Sequence, residues 1–238
     1  MDFFFVEPRD VQGHVAILRG DEFKHLSRVL RKKEGERITL IDGEDHAYEA
    51  IIESIGSSET ICEIVEVKHR FNETKIDVTL AVSLLRNPAR FDVLVEKATE
   101  LGVRTIIPMT CERTVPRSDK HNRLEKIALA AMKQCGRSWL PRVQPLASFN
   151  SVVERAGGFA LRLIPHEKTE QSQFIGAVLQ HHPDAASALI VIGPEGGFSE
   201  EEMKLAIEKG LVPISLGPRR LRAETAAISA LSWVVGGW

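Results

Sequence analysis

Ile190-Val191-Ile192-Gly193-Pro194-Glu195-Gly196-Gly197-Phe198-Ser199 is the stretch from which the architecture of this chain can be worked out. Its first residues end an apolar, β-branched run of strand length, which is typical of a buried strand in a parallel sheet. Ser199 with Glu202 three residues later predicts a capping box, so a helix begins directly after the loop. The stretch therefore predicts a strand, a glycine-rich loop and a helix.

Such a loop is a candidate ligand site. In an open α/β sheet, ligands bind beyond the carboxyl ends of the strands, and glycines let a ligand lie against bare backbone. The loop lacks the Gly-Lys-Ser/Thr ending of a phosphate loop and the GxGxxG spacing of a dinucleotide site. The acids of Glu200–Glu202 also occupy the place that a phosphate would take. We therefore expect a neutral or cationic ligand and disfavour the alternative of a phosphate-loop nucleotide hydrolase.

A second junction of the same kind is Pro213-Ile214-Ser215-Leu216-Gly217-Pro218-Arg219-Arg220-Leu221-Arg222-Ala223-Glu224-Thr225-Ala226-Ala227. The pattern predicts a strand over Pro213–Leu216, a Gly-Pro turn and a helix from about Ala223. The three arginines of this turn cannot all be buried without partners, and Glu224 is the expected partner of one. The turn is either an exposed basic turn with a structural ion pair, or an anion or nucleic-acid contact beside a ligand site.

Strands and helices alternate from about residue 73 to the C-terminus. Periodicity predicts strands at Val78–Leu85, Thr105–Met109, Ala160–Ile164 and Ala188–Ile192. It predicts helices that end at Gly102 and near Gly136, and others over about Glu200–Lys209 and Ala223–Val235. This order is typical of an α/β fold with a mostly parallel sheet.

Residues 1–72 have a different, β-rich pattern. Turn signals separate five short candidate strands, which predict a small barrel: Phe3–Val6, His14–Leu18, Arg37–Ile41, Ala47–Glu53 and Thr60–Lys68. One helix is expected over Asp21–Lys33, with Asp21 as its N-cap. We therefore place the domain boundary between residues 72 and 73.

The composition is that of a globular protein: 43% of the 238 residues are hydrophobic and 27% are charged. No apolar run approaches the roughly 20 residues of a membrane-spanning helix, and the N-terminus does not resemble a signal peptide. The three cysteines, Cys62, Cys111 and Cys135, are far apart, so neither a disulfide nor a metal site is expected. A cytoplasmic protein without membrane contact follows as the simplest expectation.

The net charge of −2 does not by itself indicate nucleic-acid binding, but the charge is uneven. Residues 1–72 carry 10 Lys and Arg against 15 Asp and Glu, and the remainder carries 21 against 18. Within the acidic part, Lys24, Arg28, Arg31, Lys32 and Lys33 lie together without an acid between them. If Lys24, Arg28 and Arg31 or Lys32 share a helical face, they form either a solvated helix end or a stripe that contacts phosphates.

Two further polar stretches are candidates for substrate contact or for plain helix surface. One runs through Glu96-Lys97-Ala98-Thr99-Glu100-Leu101-Gly102-Val103 and continues at Cys111-Glu112-Arg113. The other is Lys133-Gln134-Cys135-Gly136-Arg137, in which the spacing predicts that Gln134 and Arg137 share a face.

Taken together and in this order, these stretches resemble the RsmE-type family of 16S ribosomal RNA uridine-N3 methyltransferases, within the SPOUT superfamily. The resemblance rests on His25-Leu26 with Val29-Leu30-Arg31, Lys97–Val103, Gln134–Arg137, Gly193–Gly197, and Leu216-Gly217 with Leu221–Ala226. The chain departs from the family pattern at Arg220, where an aliphatic residue is usual, at Lys133, where an acid is usual, and at Arg86-Asn87-Pro88.

The resemblance implies a PUA-like RNA-binding barrel over residues 1–72 and a SPOUT methyltransferase domain with a C-terminal trefoil knot over residues 73–238. It implies a homodimer that binds S-adenosylmethionine and acts on 16S ribosomal RNA or the small ribosomal subunit. The expected cofactor contacts are Gly193, Pro194, Glu195, Gly196, Gly197, Leu216, Gly217, Leu221 and Pro165. The expected RNA contacts are Lys24, Arg28, Arg31, Lys32, Lys33, Lys97, Arg113, Gln134 and Arg137.

For the chemistry, Arg222 or Arg219 is expected to stabilise the negative charge that develops on a uridine as N3 loses its proton. Glu224 is expected to orient that arginine, and Glu224, Glu195 and bulk hydroxide stay open as the proton acceptor. A non-enzymatic RNA-binding or ribosome-assembly module is the alternative, which the intact glycine-rich loop and Leu221–Thr225 turn disfavour.

Overall fold

A computed structural model describes residues 3–116, 118, 120–167, 169–170 and 173–236. The chain divides into two compact units. The first contains residues 1–73 and 129–140, and the second contains residues 74–128 and 141–238. None of the described helices is long and apolar enough to cross a membrane.

The first unit is built on one mixed sheet of six strands. They are β1 (Phe3–Phe5), β2 (Val11–Gln12), β3 (Val15–Arg19), β4 (Arg37–Ile41), β5 (His46–Ile55) and β6 (Glu59–His69). The sheet order is β1-β4-β5-β6-β3-β2, with β1 parallel to β4 and every other pair antiparallel. Inward-facing side chains such as Phe4, Leu18 and Leu40 form its core. Five of these strands correspond to the predicted ones, and the two-residue β2 was not predicted.

The helix of the first unit is shorter than predicted. Helix α1 spans Gly20–Lys24, and a π-helical turn follows over His25–Val29, where the N–H of Leu30 donates to the carbonyl of His25. The prediction of Asp21 as N-cap is wrong, because Arg19 occupies that position, where its side chain makes no capping bond to the helix. Arg31 has a positive φ of 52° and ends the helical course.

The second unit contains a seven-stranded sheet in which every pair is parallel. Its strands are β7 (Asp77–Ser83), β8 (Thr105–Thr110), β9 (Arg142–Val143), β10 (Ala147–Ser148), β11 (Leu161–Pro165), β12 (Ser187–Ile192) and β13 (Val212–Ile214). The order is β10-β8-β7-β12-β11-β13, with β9 also paired to β8. The predicted mostly parallel sheet is confirmed, although the last strand ends at Ile214 and not at Leu216.

The remaining helices are α2 (Pro88–Glu100), α3 (His121–Cys135), α4 (Phe149–Glu154), α5 (Ile175–Gln180), α6 (Glu200–Glu208) and α7 (Ala223–Val235). All lie in the second unit except the last part of α3, which from Leu129 onward belongs to the first. The capping box of Ser199 and Glu202 at the start of α6 is present, as predicted. Helices α4 and α5 are short, and their periodicity did not identify them. Because all seven strands run the same way, the loops after β11, β12 and β13 meet at one edge of the sheet.

Candidate active site

Three loops at the carboxyl ends of β11, β12 and β13 enclose a cavity of about 920 Å³. The glycine-rich loop after β12 forms one wall, the turn after β13 forms another, and the end of β11 contributes Pro165. All nine residues expected to contact the cofactor line this cavity. Arg219 and Arg222 line it as well, whereas Glu224 is not among its lining residues.

The backbone of the glycine-rich loop packs against the ring of Phe198, which belongs to the same loop. A Cβ on Gly193 would lie 3.0 Å from the Phe198 ring, which is buried and packs against Phe149 with centroids 5.4 Å apart. A turn bond from the N–H of Gly197 to the carbonyl of Pro194 fixes the far side of the loop. A side chain at Gly193 would therefore displace the ring that supports the loop.

Loops from two neighbouring strands hold the glycine-rich loop in place. The backbone N–H of Arg86, after β7, donates to Glu195 Oε1 at 3.0 Å. Arg113 Nη1, after β8, donates to the carbonyl of Gly196 at 3.0 Å. Sequence reasoning placed Arg113 among the RNA contacts, and nothing in the local pattern indicates its bond to Gly196. These two bonds therefore hold the glycine-rich loop in position.

Buried hydroxyls fix the turn that carries Arg113. Thr114 Oγ1 accepts from the N–H of Cys111 at 2.7 Å and lies 2.7 Å from Ser83 Oγ. Burial, together with the nearby charge of Glu202, raises the pKa of the Cys111 thiol to about 12. Cys111 is thus a packing residue and not a nucleophile at neutral pH.

The start of α6 is already occupied by a carboxylate from its own chain. Glu202 Oε2 accepts from the N–H of Ser199 at 2.9 Å, and Glu202 Oε1 accepts from the N–H of Glu112 at 2.8 Å. Because this buried carboxylate neutralises the positive helix end, the helix does not offer an anion site there. The geometry supports the prediction that the loop does not bind a phosphate.

Charge is distributed unequally around the cavity. On the side of the glycine-rich loop and α6 the lining includes Glu195, Glu200 and Glu208, with Lys204 among them. Arg113, which is bonded to Gly196, lines the cavity as well. The turn after β13 contributes Arg219, Arg220 and Arg222, and the loop after β11 contributes Glu167. Most of the lining acids therefore come from the glycine-rich loop and α6, and most of the arginines come from the turn after β13.

The predicted pairing of Glu224 with a neighbouring arginine is wrong. Glu224 Oε1 instead lies 3.7 Å from Arg90 Nε, on α2. Arg220 Nε lies 3.7 Å from Glu167 Oε2. Arg219 and Arg222 are exposed and have no ion-pair partner within the part of the chain that the structure describes. Glu224 points to α2 because it lies in the first turn of α7, which packs against that helix.

The expectation that Gln134 and Arg137 share an RNA-binding face is wrong. Helix α3 ends at Cys135, and Gly136 with a φ of +69° turns the chain inward. Arg137 is buried and forms a two-pronged ion pair with Glu73, at 3.1 Å from Nε and 2.5 Å from Nη2. Gln134 alone is exposed.

The other predicted RNA contacts have mixed surroundings. Lys97 lies between Glu96 and Glu100, whose carboxylates raise the pKa of its ammonium. Lys24 pairs with Asp21, while Arg28, Arg31 and Lys33 are exposed. The single face expected for this basic segment does not exist, since the π-turn and the positive φ of Arg31 break the helical spacing.

Comparison with known proteins agrees with this architecture. The family described as RNA methyltransferase domain matches residues 72–235, and the family described as RNA methyltransferase PUA domain matches residues 18–65. Ribosomal RNA small subunit methyltransferase E from Bacillus subtilis is 31% identical, over 90% of this chain and 87% of that protein. The Aquifex aeolicus protein of that name is 31% identical over 98% of both chains.

A solved structure shows the same similarity in three dimensions. Ribosomal RNA small subunit methyltransferase E from Neisseria gonorrhoeae, bound to S-adenosyl methionine, superposes with a TM-score of 0.86 at 30% identity. The match covers all of this chain and 98% of that one.

Proposed function

This chain belongs to the ribosomal RNA small subunit methyltransferase E family, and we propose that it methylates N3 of a uridine in 16S ribosomal RNA with S-adenosylmethionine as donor. The proposal rests on the cavity of about 920 Å³. Its lining combines the backbone of the glycine-rich loop with the exposed arginines of the turn after β13. Its volume lies in the usual range of small-molecule sites.

The residues that line the cavity fit S-adenosylmethionine. Apolar side chains, among them Ile192, Met203, Ile207, Leu216 and Leu221, offer a surface for the adenine ring. The backbone of the glycine-rich loop offers hydrogen-bonding groups, and the acids on its side suit a cationic sulfonium. We assign the cofactor contacts to the nine residues predicted from the sequence, all of which line the cavity.

Bound cofactor supplies a methyl group on a positively charged sulfur. The bond from that methyl to uridine N3 forms as the bond to sulfur breaks, and the N3 proton leaves. We assign to Arg222, with Arg219 as second candidate, the stabilisation of the negative charge that spreads over the uracil carbonyl oxygens. Glu195 or solvent hydroxide accepts the proton. Glu224 holds Arg90, so its predicted role in orienting Arg222 is not part of this proposal.

We propose that residues 1–72 form an RNA-binding domain and residues 73–238 the methyltransferase domain. The matches to the PUA and methyltransferase families support this division. Phosphate contacts are assigned to Lys24, Arg28, Arg31, Lys32 and Lys33. Of these, Lys24 pairs with Asp21 and Lys32 with Glu36, whereas Arg28, Arg31 and Lys33 are exposed. We propose a homodimer on the family resemblance, and a cytoplasmic location on the three widely spaced cysteines.

We also propose that the chain forms a trefoil knot. Residues of β13 pair with β11 on one side, and His166 extends that pairing through a bond to the carbonyl of Ile214. On the other side, the N–H of Ser215 donates to Gln173 and the N–H of Ile175 donates to Ser215. Residues 212–215 therefore lie between β11 with His166, where the connection to α5 begins, and Gln173–Ile175, where it ends. Such an arrangement is expected for a segment that is threaded through a loop.

Two measurements test the function. Titration calorimetry with S-adenosylmethionine should show one site per chain, and a non-enzymatic RNA-binding module need not bind the cofactor at all. Mass spectrometry of 16S ribosomal RNA from cells that lack the gene should show loss of one N3-methyluridine, restored by the purified protein. Complete methylation in those cells would contradict the proposal.

A further inference from the structure

A second, smaller cavity of about 490 Å³ adjoins the first at the arginine-rich turn after β13. Glu167, Ser215, Gly217, Arg219 and Arg220 line both this cavity and the larger one, whereas Thr169 and Pro218 line only the second. Arg222 and Leu221 line only the first. Arg219 and Arg220 therefore line both cavities, whereas Arg222 lines only the larger one.

The arginines of the second cavity are available for a ligand. Arg219 has no ion-pair partner among the described residues. Arg220 is 77% exposed and its contact with Glu167 is a single one at 3.7 Å. Exposed pairs of this kind are held weakly, so a stronger acceptor can replace the carboxylate. The charged residues that line this cavity are Arg219, Arg220 and Glu167, so the described lining has a net positive charge.

The backbone that carries these arginines is fixed. Ser215 is bonded through its N–H to Gln173 at 3.0 Å and through its carbonyl to the N–H of Ile175 at 3.1 Å. Its hydroxyl also accepts from the N–H of Gly217 at 3.2 Å, and Gly217 has a φ of +104°, which favours glycine. Pro218 follows and restricts the chain further. The side chains of Arg219 and Arg220 therefore extend from a turn whose backbone is held by hydrogen bonds.

We propose that the second cavity binds a phosphate group of the RNA strand next to the target uridine. Arg219 and Arg220 bind the phosphate oxygens, because a guanidinium fork matches two of them at once. Thr169 also lines this cavity. Glu167 competes with the phosphate for Arg220 and keeps the site paired when RNA is absent. The inference rests on the proposed function and adds to it a subsite specific to this chain, since Arg220 stands where the family usually has an aliphatic residue.

The experiment compares Arg220→Leu, Arg219→Gln and Glu167→Gln with the unaltered protein. The RNA probe is small-subunit RNA from cells that lack the gene, and affinity is measured at several salt concentrations. Each arginine variant should weaken RNA binding about tenfold and lower the slope of log affinity against log salt by roughly 0.7, the value of one single-strand phosphate contact. Glu167→Gln should tighten RNA binding, because it frees Arg220.

Arg155→Leu is the matched control, since Arg155 is exposed after α4 and lines neither cavity. It should change neither affinity nor slope. If Arg220→Leu binds RNA like the unaltered protein, or if Glu167→Gln weakens binding, the phosphate site is wrong while the methyltransferase proposal stands. If the same variants change the affinity for S-adenosylmethionine by tenfold and leave RNA binding unaltered, the cavity belongs to the cofactor. Failure of the unaltered protein to bind the cofactor would instead contradict the proposed function.

Discussion

The three arginines of the turn after β13 differ in what surrounds them, although they lie within four residues. Arg222 is the N-cap residue of α7, is exposed and lines the larger cavity. Arg220 has a weak partner in Glu167, and Arg219 has none among the described residues. Residue type alone indicated a need for partners, whereas the partner that each arginine finds depends on which other segment of the chain the fold brings near it.

Arg222→Ala should abolish methylation while leaving the affinity for S-adenosylmethionine within about tenfold. The reason is that a cation fixed beside a developing negative charge acts mainly in the transition state, and removing one such group commonly costs about a hundred- to a thousandfold in rate. Single-turnover methylation and titration calorimetry measure the two quantities. Equal loss of both would indicate a structural role for Arg222.

Glu73 and Arg137 form a buried ion pair, with side chains 1% and 2% exposed. Arg137→Ala should lower the free energy of unfolding by about 3–5 kcal/mol, because it leaves a buried carboxylate without its counter-charge. Urea denaturation of the intact chain measures the effect. The double variant Glu73→Leu with Arg137→Met should recover much of the loss, but not all, since the N–H of Trp139 also donates to Glu73. A single variant as stable as the unaltered protein would contradict this role.

At the scale of elements, the glycine-rich loop depends on its neighbours more than on its own sequence. Its strand, turn and helix cap follow from local pattern, and all are present. Its position depends on the bonds from Arg86 and Arg113, which lie about a hundred and about eighty residues earlier. The loop after β12 is held in position because the neighbouring strands β7 and β8 end at the same edge of the sheet.

Gly196→Val should lower the affinity for S-adenosylmethionine at least tenfold. A Cβ at Gly196 would lie 3.3 Å from the Cβ of Arg113, so the bulkier side chain displaces that brace or enters the cavity. Gly157→Val is the control, because no atom lies within 4 Å of a Cβ there and φ is not positive. Titration calorimetry compares the two. Unchanged binding in Gly196→Val would exclude this loop from the cofactor site.

At the scale of the whole molecule, RNA binding must come from local basic regions, because the net charge is −2. Replacing Arg31 and Lys33 together by Gln should reduce the slope of log affinity against log salt by about 1.4, or roughly 0.7 for each phosphate that is no longer bound. Lys32→Gln should have a smaller effect, since Lys32 already pairs with Glu36 at 3.4 Å. An unchanged slope in the double variant would mean that this segment is only solvated surface.

The sequence by itself determined the elements whose signals are local. Apolar runs of strand length, the Ser199 cap and the glycines after α2 and α3 depend on residues within a few positions of one another, so they can be recognised without knowing the fold. The family resemblance rested on such short stretches as well. The π-turn at His25–Val29 was missed because it changes the spacing without changing the residue types.

Only the tertiary structure decided which distant side chains meet. It paired Glu224 with Arg90, buried Arg137 against Glu73 and turned Arg113 toward Gly196. A charged residue has the same local sequence whether it is buried or exposed, and its partner is selected by packing between elements far apart in the chain. For that physical reason the sequence indicated where the cavity lies, and the fold decided which charges line it.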